Sequence, residues 1–297
     1  MQFIIYGEYV NVIVKADATD VVLDDTILDQ LYEIGKIEFN SANKKSLTEL
    51  NIPDIYTYTD GKKYRIIGIA EYALYECDLI ASLTIPDTVS FIEKYAFDKC
   101  YSIPDLVIPD SVITIGDWCF ANCTSMESAI IGNGVKTIGI DAFKSCTSLE
   151  SVSIGENVET IGHWTFGDCT SLKSVIIPDK VQSIENATFI NCSSLKSAKI
   201  GNGITSFAYR TFRECTALES IIIPNNLTTV GEQAFYKCTA LTSVNVLSDT
   251  TNTIPSTVTN IETYGFCLCE NLTLRIPQGI TLGQYTLSYV SYSYYTP

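Results

Sequence analysis

The sequence predicts an α/β-type solenoid, and three observations carry that expectation. Cysteines stand at Cys77, Cys100, Cys123, Cys146, Cys169, Cys192, Cys215 and Cys238, every step being 23 residues. The segments between them repeat as well, so that TSLESVSIGENVETIGHWTFGDC is followed at once by TSLKSVIIPDKVQSIENATFINC. Each segment holds one short alternating apolar run that stops at Pro or Gly. Self-similarity at a fixed period of roughly 20–29 residues marks a stack of coils with one short strand per coil. Because each coil packs only on its neighbours, chain length says little about domain number.

The chain opens with a segment that does not repeat. FIIYGEYVNVIVKA reads as two β segments around a Gly-Glu turn, and DDTILDQLYEIG as a short helix opened by Asp and closed by Gly35. Residues 1–50 are expected to cap the first coil, since end coils need a polar outer face. Asp60-Gly61, between the Tyr-rich runs Tyr56–Tyr58 and Lys63–Ile66, is a hairpin signal. Residues 51–297 then form the solenoid, with about ten coils counted from the anchors Leu74 to Leu287.

Within a coil the positions are counted from its cysteine. The third is apolar throughout, from Ile80 and Ile103 to Leu218 and Leu241. The sixth and eighth, such as Leu106 with Ile108 and Val175 with Ile177, share one face of a strand because strand side chains alternate. Pro86, Pro109, Gly132, Gly155, Pro178, Gly201 or Pro224 ends that strand, and Asp, Asn or Glu follows, as turn chemistry requires. A second apolar pair comes next, for example Val112 with Ile115. The coil closes on Phe97, Phe120, Phe143, Phe166, Phe189, Phe212 or Phe235, three residues before the next cysteine. These rings are expected to stack as a spine.

Eleven cysteines invite a disulfide or metal reading. Equivalent residues of stacked coils lie about 4.8 Å apart with parallel side chains. A disulfide wants Cβ atoms nearer roughly 3.8 Å and converging. The ladder is therefore expected to be free, buried thiol acting as a small hydrophobe. Cys267 and Cys269 have no second pair to complete a metal site, and His163, the single histidine, stands at a variable and solvated position.

After Cys238 the register breaks. Phe235 to Phe266 spans 31 residues, so eight are inserted, near residues 248–255. The last coil is degenerate and caps the stack. TLSYVSYSYY alternates and reads as an edge strand whose Tyr face offers an oligomer contact.

These coils resemble the BspA-type leucine-rich repeat. Its pattern Leu–x–x–Val–x–Ile–Pro–x–x–Val–x–x–Ile–Gly–x–x–Ala–Phe–x–x–Cys is nearly intact in Leu172–Cys192 and Leu218–Cys238. Thr165, Thr188 and Thr211 replace the usual Ala, and Glu185 and Ala208 the usual Gly, departures expected to weaken single turns. The resemblance implies a right-handed horseshoe, with the parallel sheet on the concave face and a short helical or irregular convex side. It also implies a surface-exposed or secreted, adhesin-like protein of the bacterial and protozoan kind that binds host proteins. It brings no catalytic or cofactor-binding residues.

Composition excludes several classes. A net charge of −15 argues against nucleic acid and against anionic membranes. No apolar run approaches the length of a bilayer span, and the start lacks the basic and apolar regions of a signal peptide. A cytoplasmic location is the alternative to the cell surface. No phosphate loop, Ser–His–Asp order or metal-spaced set is present, so no enzyme, cofactor or metal is expected. Calcium in the acidic turns is less economical than the Asx turns those residues form unaided.

Outward-facing strand positions are the fifth and seventh. The fifth is a serine ladder, Ser128, Ser151, Ser174, Ser197, Ser220 and Ser243. Small polar residues suit a crowded sheet face without any binding role. The seventh gives Val107, Ile130, Ser153, Ile176, Lys199, Ile222 and Asn245, which are the candidate partner-binding residues. Glu127, Glu150, Lys173, Lys196 and Glu219 supply a charged rim. An apolar centre within a charged rim is how protein interfaces are built. The expected activity is protein binding on this face, with an intracellular interaction scaffold as the alternative.

Overall fold

The computed structural model describes residues 20–23, 48–52, 54–57, 63–246 and 251–296. One parallel sheet runs through seven successive coils: Asp105–Ile108, Ser128–Ile131, Ser151–Ser153, Ser174–Ile176, Ser197–Lys199, Ser220–Ile223 and Ser243–Val246. Equal coil length puts every strand in zero-offset register, so like meets like. Ser151 pairs with Ser128 and Ser174, and Ser220 with Ser197 and Ser243. The strands turn their sixth and eighth coil positions inward, so Leu106 and Ile108 are buried while Asp105 and Val107 face out; Val152 is the half-buried exception.

The second apolar pair also forms strands, which the sequence reading left unassigned. Phe91–Ile92, Thr114–Ile115, Thr137–Ile138, Thr160–Ile161 and Ser183–Ile184 pair in parallel and continue from Lys63–Ile69. Ser206–Phe207, Thr229–Val230, Asn260–Ile261 and Thr281–Leu282 do the same further along. Two residues are too few for alternation to be visible in sequence. Only the stacking of coils makes these strands.

The helical part of the α/β expectation is corrected. Among the described residues no helix is present, and the third side of the coil is a run of turns. The cause is backbone handedness. Trp164 (φ 55°) and Asp168 (φ 60°) are left-handed, and the same two positions are left-handed before every ladder cysteine from Cys77 to Cys238 and before Cys269. L-residues in that region break a right-handed helix. The amides then alternate partners. Trp164, Phe166 and Asp168 N–H donate to Asn186, Thr188 and Ile190 carbonyls of the next coil, while Gly167 and Cys169 N–H donate back to Trp164 and Phe166. Half of each turn is thus bonded to its neighbour, which the sequence cannot reveal.

The core is a continuous spine. Phe97 through Phe266 are fully buried, and successive rings stack at 4.9–5.5 Å. All eleven cysteines are free and buried. They do more than fill space, because the ladder thiols from Cys123 to Cys238 each donate to the Phe carbonyl of the preceding coil, and Cys100 donates to Leu74 O at the equivalent position. Cys169 Sγ lies 3.2 Å from Phe143 O, and Cys192 Sγ 3.2 Å from Phe166 O. Burial pushes the thiols of Cys100, Cys119, Cys123, Cys169, Cys192 and Cys238 well above their ordinary range. Threonine in place of Ala is likewise a satisfied substitution rather than a weakening one. Thr165 Oγ1 donates to Gly162 O (2.8 Å) and Thr188 Oγ1 to Glu185 O (2.7 Å), each bracing its own turn.

At the start, Ile55–Thr57 pairs antiparallel with Lys63–Ile69, as the hairpin signal requires. Asp20–Leu23 pairs in parallel with Lys63–Ile69. The Asp60-Gly61 turn and the helix expected before Gly35 lie outside the described residues. Near the end, the insertion enters the sheet. Thr253 bridges Arg275, Ile254 N–H donates to Arg275 O, and Asn252 Oδ1 accepts Val244 N–H. Residues 252–254 are therefore an extra rung between Ser243–Val246 and Thr273–Pro277. On the Phe side no rung is added, since Phe266 stacks directly on Phe235 at 4.9 Å.

Candidate functional site

The seven-stranded sheet presents one uninterrupted outer face. Its seventh-position side chains line up by register, Val107 beside Ile130 beside Ser153, then Ile176 beside Lys199 beside Ile222 beside Asn245. At about 4.8 Å per coil this row spans roughly 29 Å. Val107, Ile130 and Ile176 are 57, 51 and 63 % exposed, values more usual for lysine than for isoleucine. Ser153 and Lys199 are exposed as well, and Ile222 is half-buried. Asn245 differs from the rest. Its Oδ1 accepts Asn252 N–H at 3.1 Å and its amide donates to Ser243 Oγ, so it anchors the inserted rung.

Beside this row runs the serine ladder, which starts where Ser128 Oγ donates to Asp105 Oδ1. Beyond it Glu127, Glu150, Lys173, Lys196 and Glu219 are all exposed. Lys173 is paired with Glu150 one coil away. Lys199 stands between Ile176 and Ile222 in the central row, and Lys196 stands between Lys173 and Glu219 in the border row, in a chain of net charge −15. The face therefore offers branched aliphatics at its centre and charge at one border.

A second row of large side chains occupies the left-handed turn positions, which the sequence reading passed over. Tyr72, Tyr95 and Trp118 stack on one another at 4.8 and 6.0 Å. Recurrence of Tyr or Trp five residues before the cysteine was the available signal. In the next coil Asp141 takes that position, and the gap is filled by Lys144, whose Nζ lies 5.1 Å from the Trp118 ring and 4.5 Å from that of Trp164. Because these rings cover one another face to face, the row braces the coils and leaves few ring faces open. His163, expected to be solvated, is half-exposed, and its Nδ1 accepts Asn186 N–H at 3.2 Å in the same intercoil pattern.

Comparison with known proteins agrees with this architecture. A model of the BspA type leucine rich repeat region matches six copies over residues 67–192, 136–273 and 248–295. A leucine-rich repeat protein from Eubacterium ventriosum is similar in structure, with a TM-score of 0.52 at 19% identity over 86% of each chain. A leucine rich repeat protein of T. pallidum gives 0.46 at 21% identity, covering 68% of this chain and 81% of that one. A leucine rich cell surface protein from Faecalibacterium prausnitzii gives 0.36 at 21% identity, covering 83% and 88%. At 19% identity the likeness to the Eubacterium ventriosum protein is one of fold alone. No curated protein sequence matches.

Proposed function

Because this chain belongs to the BspA-type leucine-rich repeat family, we propose that it is a non-enzymatic, adhesion-type binding protein that holds a protein partner on the seven-stranded sheet face. That face is the concave one of the horseshoe the family resemblance implies. One observation carries the reading: Val107, Ile130 and Ile176 are more than half exposed in a single register row. A solvated sheet has no use for branched aliphatics there, and contiguous exposed apolar side chains mark partner sites. The contact residues are Val107, Ile130, Ser153, Ile176, Lys199 and Ile222, with Asn245 closing the row. The partner is a protein of the host or extracellular-matrix kind, met at the cell surface.

A second reading, an intracellular scaffold that uses the same face, is favoured by the eleven free thiols, which suit a reducing compartment. Surface labelling of intact cells separates the two. Binding itself is tested by Ile176→Glu with Ile222→Glu in pull-downs on immobilised extracellular-matrix proteins. Capture is lost while the melting temperature stays near that of the parent, since Ile176 faces solvent and Ile222 is half-exposed. Retained capture moves the site to another surface and sinks the proposal.

A further inference from the structure

The last coil leaves its core positions open. Ser291–Tyr295 pairs in parallel with Thr273–Pro277, whose other edge meets the inserted rung at Thr253, and no strand lies on the outer side of Ser291–Tyr295 among the described residues. Tyr292 stands in register with Leu274 and Tyr294 with Ile276, both of which are buried core residues. The two tyrosines thus occupy the positions that face the core in every earlier coil. They are nevertheless 47 and 55 % exposed, and Tyr285 and Tyr289, in the turns of the same coil, are exposed too. Four of the large exposed side chains are gathered on this one end.

The edge of the strand is open as well. Ser291 N–H donates to Leu272 O, and Tyr295 O accepts Gln278 N–H, so the odd-numbered residues bond inward. Strand alternation then turns the amides and carbonyls of Tyr292 and Tyr294 toward the free edge. Arg275 stacks over Tyr295, and Tyr295 Oη donates to Ile254 O at 2.8 Å, which fixes the strand against the inserted rung. A pre-ordered edge of this kind is a template for another strand.

Charge selects the occupant. Between Asn271 and Pro297 the only charged side chain is Arg275, in a chain with net charge −15. Most other surfaces of two such chains repel at short range, whereas this end does not. The strand is also self-complementary at its centre, because SYSYY turned about Ser293 sets Tyr292 against Tyr294 and Ser293 against itself, with Ser291 meeting Tyr295 at the ends. We propose that this end joins a second copy of the chain through antiparallel pairing of Ser291–Tyr295 about a two-fold axis at Ser293. Tyr292 exchanges backbone hydrogen bonds with Tyr294 of the second copy, and the exposed rings of the two ends cover each other. Aromatic cross-strand pairs stabilise such ladders, and an isologous contact closes the assembly at two copies.

The test is sedimentation equilibrium on the full chain at about 100 µM, where an interface of ordinary size is populated. The parent sediments at twice 32.7 kDa. Ser293 is exposed on the face opposite the tyrosine rings, so Ser293→Glu and Ser293→Lys leave the core untouched while setting like charges against each other at the axis. Each variant alone is a monomer with parental circular dichroism, and an equal mixture of the two regains the dimer mass. A monomeric parent, variants that still dimerise alone, or a mixture that stays monomeric each overturns the proposal.

Discussion

Lys144 and Trp164 form a cation–π contact between neighbouring coils, with Nζ 4.5 Å from the ring centroid. The same ammonium reaches the Trp118 ring at 5.1 Å and the Asp141 carboxylate at 3.2 Å. One cation therefore ties three successive coils where the aromatic row is interrupted. Asp141 is buried, and that burial raises its pKa, while Lys144 acts in the opposite direction.

Replacing Lys144 with Met keeps the stem and a polarisable tip but removes the charge. Partly desolvated cation–π contacts are worth about 1–2 kcal/mol. At neutral pH the variant loses about 1–3 kcal/mol once the unpaired Asp141 is included. A carboxyl whose folded pKa is raised favours the folded state only when protonated. The deficit therefore shrinks as pH falls below Asp141's raised value and the acid takes up its proton. Urea melts at pH 7 and pH 4 check this, and a deficit that grows on acidification refutes it.

The left-handed turn positions make a prediction of opposite sign. Ala187 is buried at φ 56°, without the side-chain stacking or pairing that Trp164 and Arg210 gain at the same position. Left-handed backbone costs a non-glycine residue roughly 1–2 kcal/mol, against a glycine entropy cost of about 0.5–1 kcal/mol. Ala187→Gly is thus stabilising by up to about 1 kcal/mol, read as a rise in melting temperature. The same change at Trp164 destabilises, because it removes the Lys144 contact.

Much of this architecture was legible in the sequence, and the reasons are physical. A cysteine every 23 residues forces equal coils, and equal coils force the register that joins Ser151 to Ser174. Alternation at Leu106, Val107 and Ile108 sorted inward from outward side chains correctly. What stayed hidden depends on contacts between coils. Thr137–Ile138 is a strand only because Thr114–Ile115 and Thr160–Ile161 flank it. The helix expected beyond it is excluded by amides that reach the next coil, and no propensity encodes that. Asn245 looked like a free face residue until the insertion folded back onto it.

The thiol ladder predicts a steep alkaline limit. Burial raises the folded pKa of six ladder and core thiols well above 9.0, the unfolded value. Stability from these groups is whole below pH 9 and drains as pH climbs toward the folded values. Each thiol removes about 1.4 kcal/mol per pH unit once the unfolded chain ionises, so six approach a limit of about 8 kcal/mol per unit. Unfolding is expected near pH 10, with thiolate absorbance at 240 nm rising together with loss of circular dichroism. Thiolate signal at pH 9 from a chain that stays folded contradicts the buried ladder.

Asn252 predicts where the stack comes apart. It is left-handed at φ 54°, a conformation Asn tolerates better than most residues. Its Oδ1 accepts Val244 N–H, its Nδ2 donates to Thr242 O, and its own N–H is held by Asn245 Oδ1. These bonds stand where the preceding strand would otherwise meet the next one directly. Asn252→Ala removes two of them, adds left-handed strain, and costs about 2–3 kcal/mol. Because stacked coils are coupled only to their neighbours, the loss stays local rather than spreading through the chain. Hydrogen exchange should quicken across residues 254–296 and remain unchanged from Asp105 to Ser220. Uniform acceleration along the whole stack would mean that the inserted rung does not join two separable blocks.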